Sequence, residues 1–171
     1  MRKIILIGYM GSGKSTIAHL LSESTDFPYF DLDRIIEERE QKTIPELFSE
    51  KGEIYFRKLE SQILKEMIQK EEAMILSLGG GTPCYAGNHL LLNEENVISV
   101  YLKASIDSLY NRLVEHKTNR PLIAEMNESE MKEFIAKHLF DRSYYYHHAK
   151  HTVVTDDKEL DAIVAAIKEL T

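Results

Sequence analysis

The sequence predicts an α/β protein built on one parallel β-sheet, and three observations support this fold class. Short apolar or β-rich runs alternate along the chain with longer segments of helical periodicity, which is typical of repeated βαβ units. The first apolar run is followed at once by a glycine-rich turn that opens a helical segment. A length of 171 residues suits a single domain. We therefore expect three layers, with helices covering both faces of a five-stranded parallel sheet.

The individual strands and helices are predicted from hydrophobic pattern and turn residues. Because a strand buried on both faces is continuously apolar, five strands are expected at Ile4–Ile7, Pro28–Phe30, Met74–Leu78, Val97–Leu102 and Thr152–Val154. Helices are expected at Lys14–Ser24, Arg34–Arg39, Ile44–Lys51, Tyr55–Lys70, Ser105–Glu115, Ser129–Tyr146 and Lys158–Leu170.

The stretch after the first strand is Gly8-Tyr9-Met10-Gly11-Ser12-Gly13-Lys14-Ser15-Thr16. Glycines let the backbone curl until several N–H groups point at one anion, and the following helix adds its positive end. The fixed positions match G-x-x-x-x-G-K-S/T, in which the lysine reaches the β- and γ-phosphates of a nucleotide and the hydroxyl ligates Mg²⁺. An ordinary flexible turn is the alternative. The strand before it and the helix after it favour a nucleotide-phosphate site.

Composition excludes several classes of function. A formal net charge of −7 argues against general nucleic-acid binding, so a phosphate site must be a local positive region. Cys84 is the only cysteine, which excludes an internal disulfide and is typical of a reducing compartment. No apolar run reaches membrane-spanning length, and the first run is too short for a secretory signal. We expect a cytoplasmic monomer that binds neither membranes nor nucleic acid.

Two carboxylates close the second predicted strand, in Asp31-Leu32-Asp33. Residues two apart in a strand point the same way, and open α/β sheets bind ligands at the ends of their strands. One carboxylate could serve Mg²⁺ and the other a substrate hydroxyl. The alternative is that Asp33 simply caps the helix that begins at Arg34. The nearby phosphate loop favours the functional interpretation.

Candidate cationic groups are Arg57, Arg120 and Arg142, because an arginine fork grips carboxylate or phosphate bidentately. Most arginines are solvated surface residues, but Arg120 lies with Pro121 in a polar stretch, residues 116–126, that is typical of a mobile loop closing over phosphate.

The triplet Gly79-Gly80-Gly81 follows the third strand and could let a ligand approach the backbone closely, although a turn into a helix is the alternative. The histidines at 147, 148 and 151 lack the partner ligands of a zinc site, and the adjacent tyrosines at 144–146 are interpreted as packing at a helix end.

With these residues in view, the chain resembles the shikimate kinases, which are small P-loop kinases of the nucleoside-monophosphate-kinase-like fold. The resemblance covers nearly the whole length. It depends on a set of segments in family order and near family spacing: Gly8 to Thr16, Asp31-Leu32-Asp33, Phe56-Arg57, Ser77 to Gly81, Arg120-Pro121-Leu122 and Asp141 to Tyr144.

The resemblance implies ATP-dependent, Mg²⁺-dependent phosphorylation of the 3-hydroxyl of shikimate, a step toward chorismate and the aromatic amino acids. It implies that Asp33 holds the reacting hydroxyl, that Arg57 and Arg142 bind the substrate carboxylate, and that Gly79, Gly80 and Gly81 bind the ring hydroxyls. The catalytic set implied is Lys14, Asp33 and Arg120, with Ser15 and Asp31 as the metal-site residues. The ATP-binding residues implied are Gly11, Ser12, Gly13, Lys14, Ser15, Thr16, Arg112 stacking on adenine, and Arg120 from a lid.

The resemblance also implies how the single kinase domain, residues 1–171, is divided. The core comprises residues 1–30, 61–112 and 127–171, with a substrate-binding region at 31–60 and a lid at 113–126. The late loop Thr155-Asp156-Asp157-Lys158 departs from the family in lacking a proline beside adenine. Two other functions stay open: another small-molecule kinase on this scaffold, for gluconate or a nucleoside monophosphate, and a non-catalytic nucleotide-binding regulator.

Overall fold

The computed structural model of the chain describes residues 2–116 and 123–171. Its strands form one sheet: β1 Lys3–Ile7, β2 Tyr29–Asp31, β3 Met74–Ser77, β4 Val97–Lys103 and β5 His151–Val154. Their order across the sheet is β2-β3-β1-β4-β5, and every neighbouring pair is parallel. The predicted five-stranded parallel sheet is confirmed.

Helices connect these strands. In the described ranges they are α1 Lys14–Thr25, α2 Leu32–Glu40, α3 Ile44–Lys51, α4 Glu53–Gln69, α5 Asn88–Leu91, α6 Ile106–Val114, α7 Glu128–Tyr146 and α8 Leu160–Lys168. The predicted helices are all present, but α5 and the 3-10 turn Thr82–Cys84 before it were not predicted. Both elements are too short to show a helical repeat of apolar residues.

The start of α2 corrects the expectation for the two aspartates. Asp31 is the last residue of β2 and also the N-cap of α2, where its side chain accepts a hydrogen bond from the Arg34 backbone N–H at 3.2 Å. Asp33 is therefore not the cap and does not lie on the strand, but in the first turn of the helix. The reason is that the chain turns directly from strand into helix at Leu32, whose side chain is fully buried.

The hydrophobic core lies on both faces of the sheet. Alternate residues of β1 face opposite sides, as the pleat of a strand requires. Ile5 and Ile7 pack with α4 and α7 on one face, whereas Ile4 and Leu6 pack with α1 and α8 on the other. An apolar stripe of α4 supplies the buried residues Ile63, Leu64, Met67 and Ile68, at the spacing of one helical face. The three-layer arrangement is confirmed.

The connections that follow β1 and β3 diverge to opposite faces of the sheet. These strands are neighbours in the sheet, but β1 leads to α1 on one face, whereas β3 leads to the 3-10 turn and α5 on the other. A crevice opens where such connections diverge, at the carboxyl ends of the strands, and this is where open α/β sheets bind ligands.

The described part of the chain contains no helix with the length and apolar character needed to cross a membrane.

Candidate active site

The phosphate loop connects β1 to α1, as predicted. Gly13, with φ 92°, is the N-cap of α1 and takes up a left-handed conformation that glycine adopts without strain. The Lys14 ammonium donates hydrogen bonds to the carbonyl oxygens of Gly8 at 2.6 Å and Tyr9 at 3.0 Å. The lysine charge is therefore held at the loop, beside the positive end of α1, where an anion would bind.

A cleft of about 350 Å³ adjoins this loop. Its walls come from the carboxyl ends of β1, β2 and β3, and its lining residues are Met10, Gly11, Gly13, Lys14, Ser15, Thr16, Asp31, Asp33, Ser77, Leu78, Gly79 and Gly80. Ser12, predicted with this group, is buried instead, and its Oγ has no hydrogen-bond partner among the described residues. The cleft brings together most of the residues predicted for nucleotide, metal and acceptor.

The candidate metal residues, Ser15 and Asp31, both line the cleft near Tyr29 of β2. Burial raises the pKa of the Tyr29 phenol, so it remains neutral beside them. A hydroxyl and a carboxylate on one wall of the cleft are oxygen ligands of the kind that Mg²⁺ prefers. The donor chemistry therefore fits this ion.

Asp33 has the electrostatic properties of a general base. The pKa of its carboxyl is raised to about 6, chiefly by burial and then by the negative charges of Asp31 and Glu60, whereas the Lys14 ammonium acts in the opposite direction. A carboxylate with this pKa is mostly ionised at neutral pH yet accepts a proton more readily than an exposed aspartate.

The glycine triplet lies against three charged side chains. A Cβ on Gly79 would lie 3.2 Å from Oδ1 of Asp33, one on Gly80 would lie 3.1 Å from Nη1 of Arg142, and one on Gly81 would lie 3.1 Å from Nη2 of Arg57. A side chain at any of these positions would press on the neighbouring charged group, which would have to shift to admit it. One short segment thus brings the candidate base and both candidate carboxylate-binding arginines together beside the phosphate loop.

Arg57 is held by Glu60, a residue that the sequence reasoning missed. Glu60 is 1% exposed, accepts a hydrogen bond from Nη1 of Arg57 at 2.9 Å, and accepts another from the Thr82 hydroxyl at 2.8 Å. A buried carboxylate shared in this way ties α4 to the segment after the glycine triplet. A signal was available, because Glu60 lies three residues after Arg57 and four before Leu64, on the apolar stripe of α4.

Arg142 lies beside Tyr146 and Tyr9. The Tyr146 hydroxyl donates to the Gly80 carbonyl oxygen at 2.6 Å, and Nη1 of Arg142 also lies against Gly80; burial raises the pKa of the Tyr146 phenol. Cζ of Arg142 lies 5.6 Å from the centre of the Tyr9 ring, whose hydroxyl is 2.8 Å from Nδ1 of His138. Tyr9 thus connects the phosphate loop to α7. The prediction that the tyrosine triplet packs at a helix end holds for Tyr146, but it omitted the hydrogen bond from Tyr146 to Gly80.

Two further arginines, Arg112 and Arg120, were predicted to bind ATP. Arg112 donates a hydrogen bond from Nη1 to the Gly11 carbonyl oxygen at 3.1 Å, which places it against the phosphate loop. Arg120 lies outside the described residues, as does most of the predicted closing loop. Within residues 2–116 and 123–171, no three His, Cys, Asp or Glu side chains cluster as a metal site.

These features together define a P-loop kinase of a small molecule. They are the phosphate loop, the cleft with its two aspartates, and the positioned side chains of Arg57 and Arg142. The family model described as shikimate kinase matches residues 10–171, and the chain belongs to this family. A shikimate kinase from Flavobacterium johnsoniae is 59% identical over 170 residues, covering 99% of each chain. The family predicted from the sequence is therefore confirmed, in preference to a gluconate or nucleoside-monophosphate kinase or a non-catalytic regulator.

Solved structures agree with this assignment. The crystal structure of shikimate kinase from Bacteroides thetaiotaomicron superposes with a TM-score of 0.90 at 35% identity, covering 99% of this chain and 97% of that one. A shikimate kinase from Acinetobacter baumannii in complex with shikimate gives a TM-score of 0.84 at 30% identity, covering 99% and 92%.

Proposed function

We propose that the protein transfers the γ-phosphoryl group of ATP to the 3-hydroxyl of shikimate in the cleft between the phosphate loop and the glycine triplet. One observation carries this assignment: three consecutive glycines lie against Asp33, Arg142 and Arg57, next to Lys14. A base and two carboxylate-binding forks beside a phosphate loop suit an acceptor that has both a hydroxyl and a carboxylate.

The nucleotide is bound by the backbone and cations of the phosphate loop. Gly11, Ser12, Gly13, Ser15 and Thr16 form the cradle, and Arg112 lies beside it for the adenine. Lys14 now binds the carbonyl oxygens of Gly8 and Tyr9. On ATP binding we expect its ammonium to exchange these for β- and γ-phosphate oxygens, where it stabilises the charge of the transferring group.

The acceptor is oriented by Arg57 and Arg142 through its carboxylate and by Asp33 through its hydroxyl. Gly79, Gly80 and Gly81 leave room for the ring hydroxyls beside these groups. As the hydroxyl oxygen bonds to the γ-phosphorus, the bond from that phosphorus to the β,γ-bridging oxygen breaks, and Asp33 takes the hydroxyl proton.

Ser15 and Asp31 are the residues that would hold Mg²⁺. This ion keeps several waters and few direct protein ligands, which is consistent with a hydroxyl and one carboxylate. When bound with ATP, it supplies positive charge to the phosphate oxygens. The Ser15 and Asp31 side chains both line the cleft that contains Lys14.

The remaining assignments concern the division of the chain. We assign residues 31–60 to substrate binding, residues 113–126 to a lid and the rest to the core, with Arg120 reaching the ATP phosphates from the lid. The protein is proposed to act as a cytoplasmic monomer.

Calorimetric titration of shikimate and of ATP into three variants tests the proposal. For Arg57→Ala and Arg142→Ala we expect shikimate binding to weaken by about 2 to 5 kcal/mol, since each truncation removes one arm of a carboxylate clamp, with ATP binding retained. For Lys14→Ala we expect shikimate binding to be retained in the titration. Turnover, measured separately as ATP consumption in the presence of shikimate, should be lost.

Arg39→Ala is the matched control, because this arginine pairs with Glu66 on the exposed face of α2 and α4. An equal loss of ATP affinity in the Arg57 and Arg142 variants would move those arginines to the phosphate site. Near-normal turnover in Lys14→Ala would reject the assignment of the phosphate loop.

A further inference from the structure

The Arg57 guanidinium is enclosed by aromatic rings from two parts of the chain. Its Cζ lies 3.8 Å from the centre of the Tyr85 ring, 5.2 Å from that of Phe56 and 5.9 Å from that of Phe48. Tyr85 is the closest of the three, and its separation is that of a cation in direct contact with a ring face. Phe48 and Phe56 belong to α3 and α4, whereas Tyr85 follows the 3-10 turn after the glycine triplet.

The three nitrogens of the same guanidinium have different surroundings. Nη1 is hydrogen-bonded to Glu60. Nε is buried 3.7 Å from the Glu53 carboxylate and has no hydrogen-bond partner in residues 2–116 and 123–171. Nη2 lies beside the glycine triplet, 3.1 Å from where a Cβ on Gly81 would lie. Since Nε is enclosed and Nη1 is bound to Glu60, Nη2 is the nitrogen that we expect to donate to a substrate carboxylate.

Fixing the direction of Nη2 requires more than the bond to Glu60, because a guanidinium anchored at one nitrogen can still tilt about that contact. A ring on its face restricts the tilt and keeps water from that face. Tyr85 is 40% exposed, so its position is not explained by core burial. Its close contact with Arg57 gives it a specific role at the rim of the site.

We propose that Tyr85 is a positioning residue for shikimate, which holds the Arg57 guanidinium in the plane where Nη2, beside the glycine triplet, donates to the substrate carboxylate. This inference depends on the proposed role of Arg57. It predicts that the aromatic ring is needed and the phenolic hydroxyl is not, since the ring face makes the contact.

Tyr85→Leu and Tyr85→Phe test the requirement for a ring, because leucine keeps apolar bulk without a π-face. We expect Tyr85→Leu to raise the KM and Kd for shikimate about threefold to tenfold, with kcat and the KM for ATP within about twofold of wild type. Tyr85→Phe should match wild type. Unchanged or tighter shikimate binding in Tyr85→Leu, or an equal loss in both variants, would overturn the proposal.

A spectroscopic readout is available because the chain contains no tryptophan. Tyr85→Trp would place a single indole on the Arg57 guanidinium, and we expect its emission to change saturably with shikimate. Phe140→Trp is the control, since Phe140 is 84% exposed on α7, and its emission should not respond. An emission of Tyr85→Trp that is unaffected by saturating shikimate would contradict contact between Tyr85 and the substrate-binding arginine.

An Arg57→Ala background separates failure of this inference from failure of the proposed function. If Tyr85 acts through Arg57, Tyr85→Leu should cause no further loss of shikimate affinity in that background. Additive losses would overturn the positioning role. Full shikimate affinity in Arg57→Ala alone would reject the assignment of Arg57 itself. A loss in Arg57→Ala with none in Tyr85→Leu would reject only the role of Tyr85.

Discussion

At the scale of single residues, Asp33 combines partial burial with the charge that its proposed role as a base requires. Its pKa of about 6 reflects burial first and then repulsion from Asp31 and Glu60. Below this pH the carboxyl is protonated and cannot accept the proton of the substrate hydroxyl. The acid side of the activity profile should therefore report on this one group and on the carboxylates around it.

We expect kcat/KM for shikimate to fall as the pH is lowered through about 6, because this parameter reports ionisations of the free enzyme. Asp31→Asn removes the negative charge that raises the pKa of Asp33 most, after burial, so it should move the acid limb to lower pH at saturating Mg²⁺. Asp107→Asn is the control, since Asp107 is exposed on α6. Superimposable acid limbs in the Asp31 variant and wild type would show that Asp33 is not the titrating group.

At the scale of elements, the glycine triplet after β3 leaves room for the side chains of Asp33, Arg57 and Arg142. The backbone of Gly80 is fixed on one side by its carbonyl hydrogen bond to Tyr146. On the other side, Nη1 of Arg142 occupies the space beside its Cα, 3.1 Å from where a Cβ would lie. Even a methyl group would have to displace the arginine.

Gly80→Ala should weaken shikimate binding by about 1 to 3 kcal/mol, the usual cost of overpacking, with ATP binding unchanged. The same substitution in an Arg142→Ala background should cost much less, since no guanidinium remains to be displaced. Calorimetric Kd values for wild type, both single variants and the double variant measure this coupling. Equal costs in the two backgrounds would instead attribute the effect to the backbone.

At the scale of the whole molecule, the site is a source of instability within the fold. The unfolded chain releases the Asp33 proton near the ordinary value of 3.8, whereas the folded chain releases it near 6. Between these values the folded state binds more protons than the unfolded state, so the free energy of unfolding falls as the pH rises. Above about pH 6 the folded protein bears the full cost of an ionised, partly buried carboxylate.

Asp33→Asn should therefore stabilise the ligand-free protein by about 3 kcal/mol at pH 8 and by little at pH 4, while abolishing most activity. Urea unfolding of wild type and variant at the two pH values measures the difference, again with Asp107→Asn as control. A stability gain that is the same at both pH values would show that ionisation of Asp33 does not cause it.

Much of the fold could be predicted because its signals are local. Continuous apolar runs specify strands buried on both faces, and the apolar stripe of α4 specifies its inward face. Gly13-Lys14-Ser15 specifies a phosphate loop, because the loop is formed by residues that are adjacent in sequence. These features depend on residues that are close in sequence. The position of Asp33 in α2 was missed because a strand passes into a helix without a loop at Leu32.

The sequence by itself determined the family, the parallel sheet, the phosphate loop and the candidate charged residues. Only the tertiary structure decided how those residues are held. Glu60 accepts a hydrogen bond from Thr82, the Tyr85 ring lies on Arg57, and Tyr146 donates to Gly80, across separations of more than twenty residues. Such contacts arise because parallel strands bring their carboxyl ends together at one edge of the sheet, whatever their distance along the chain.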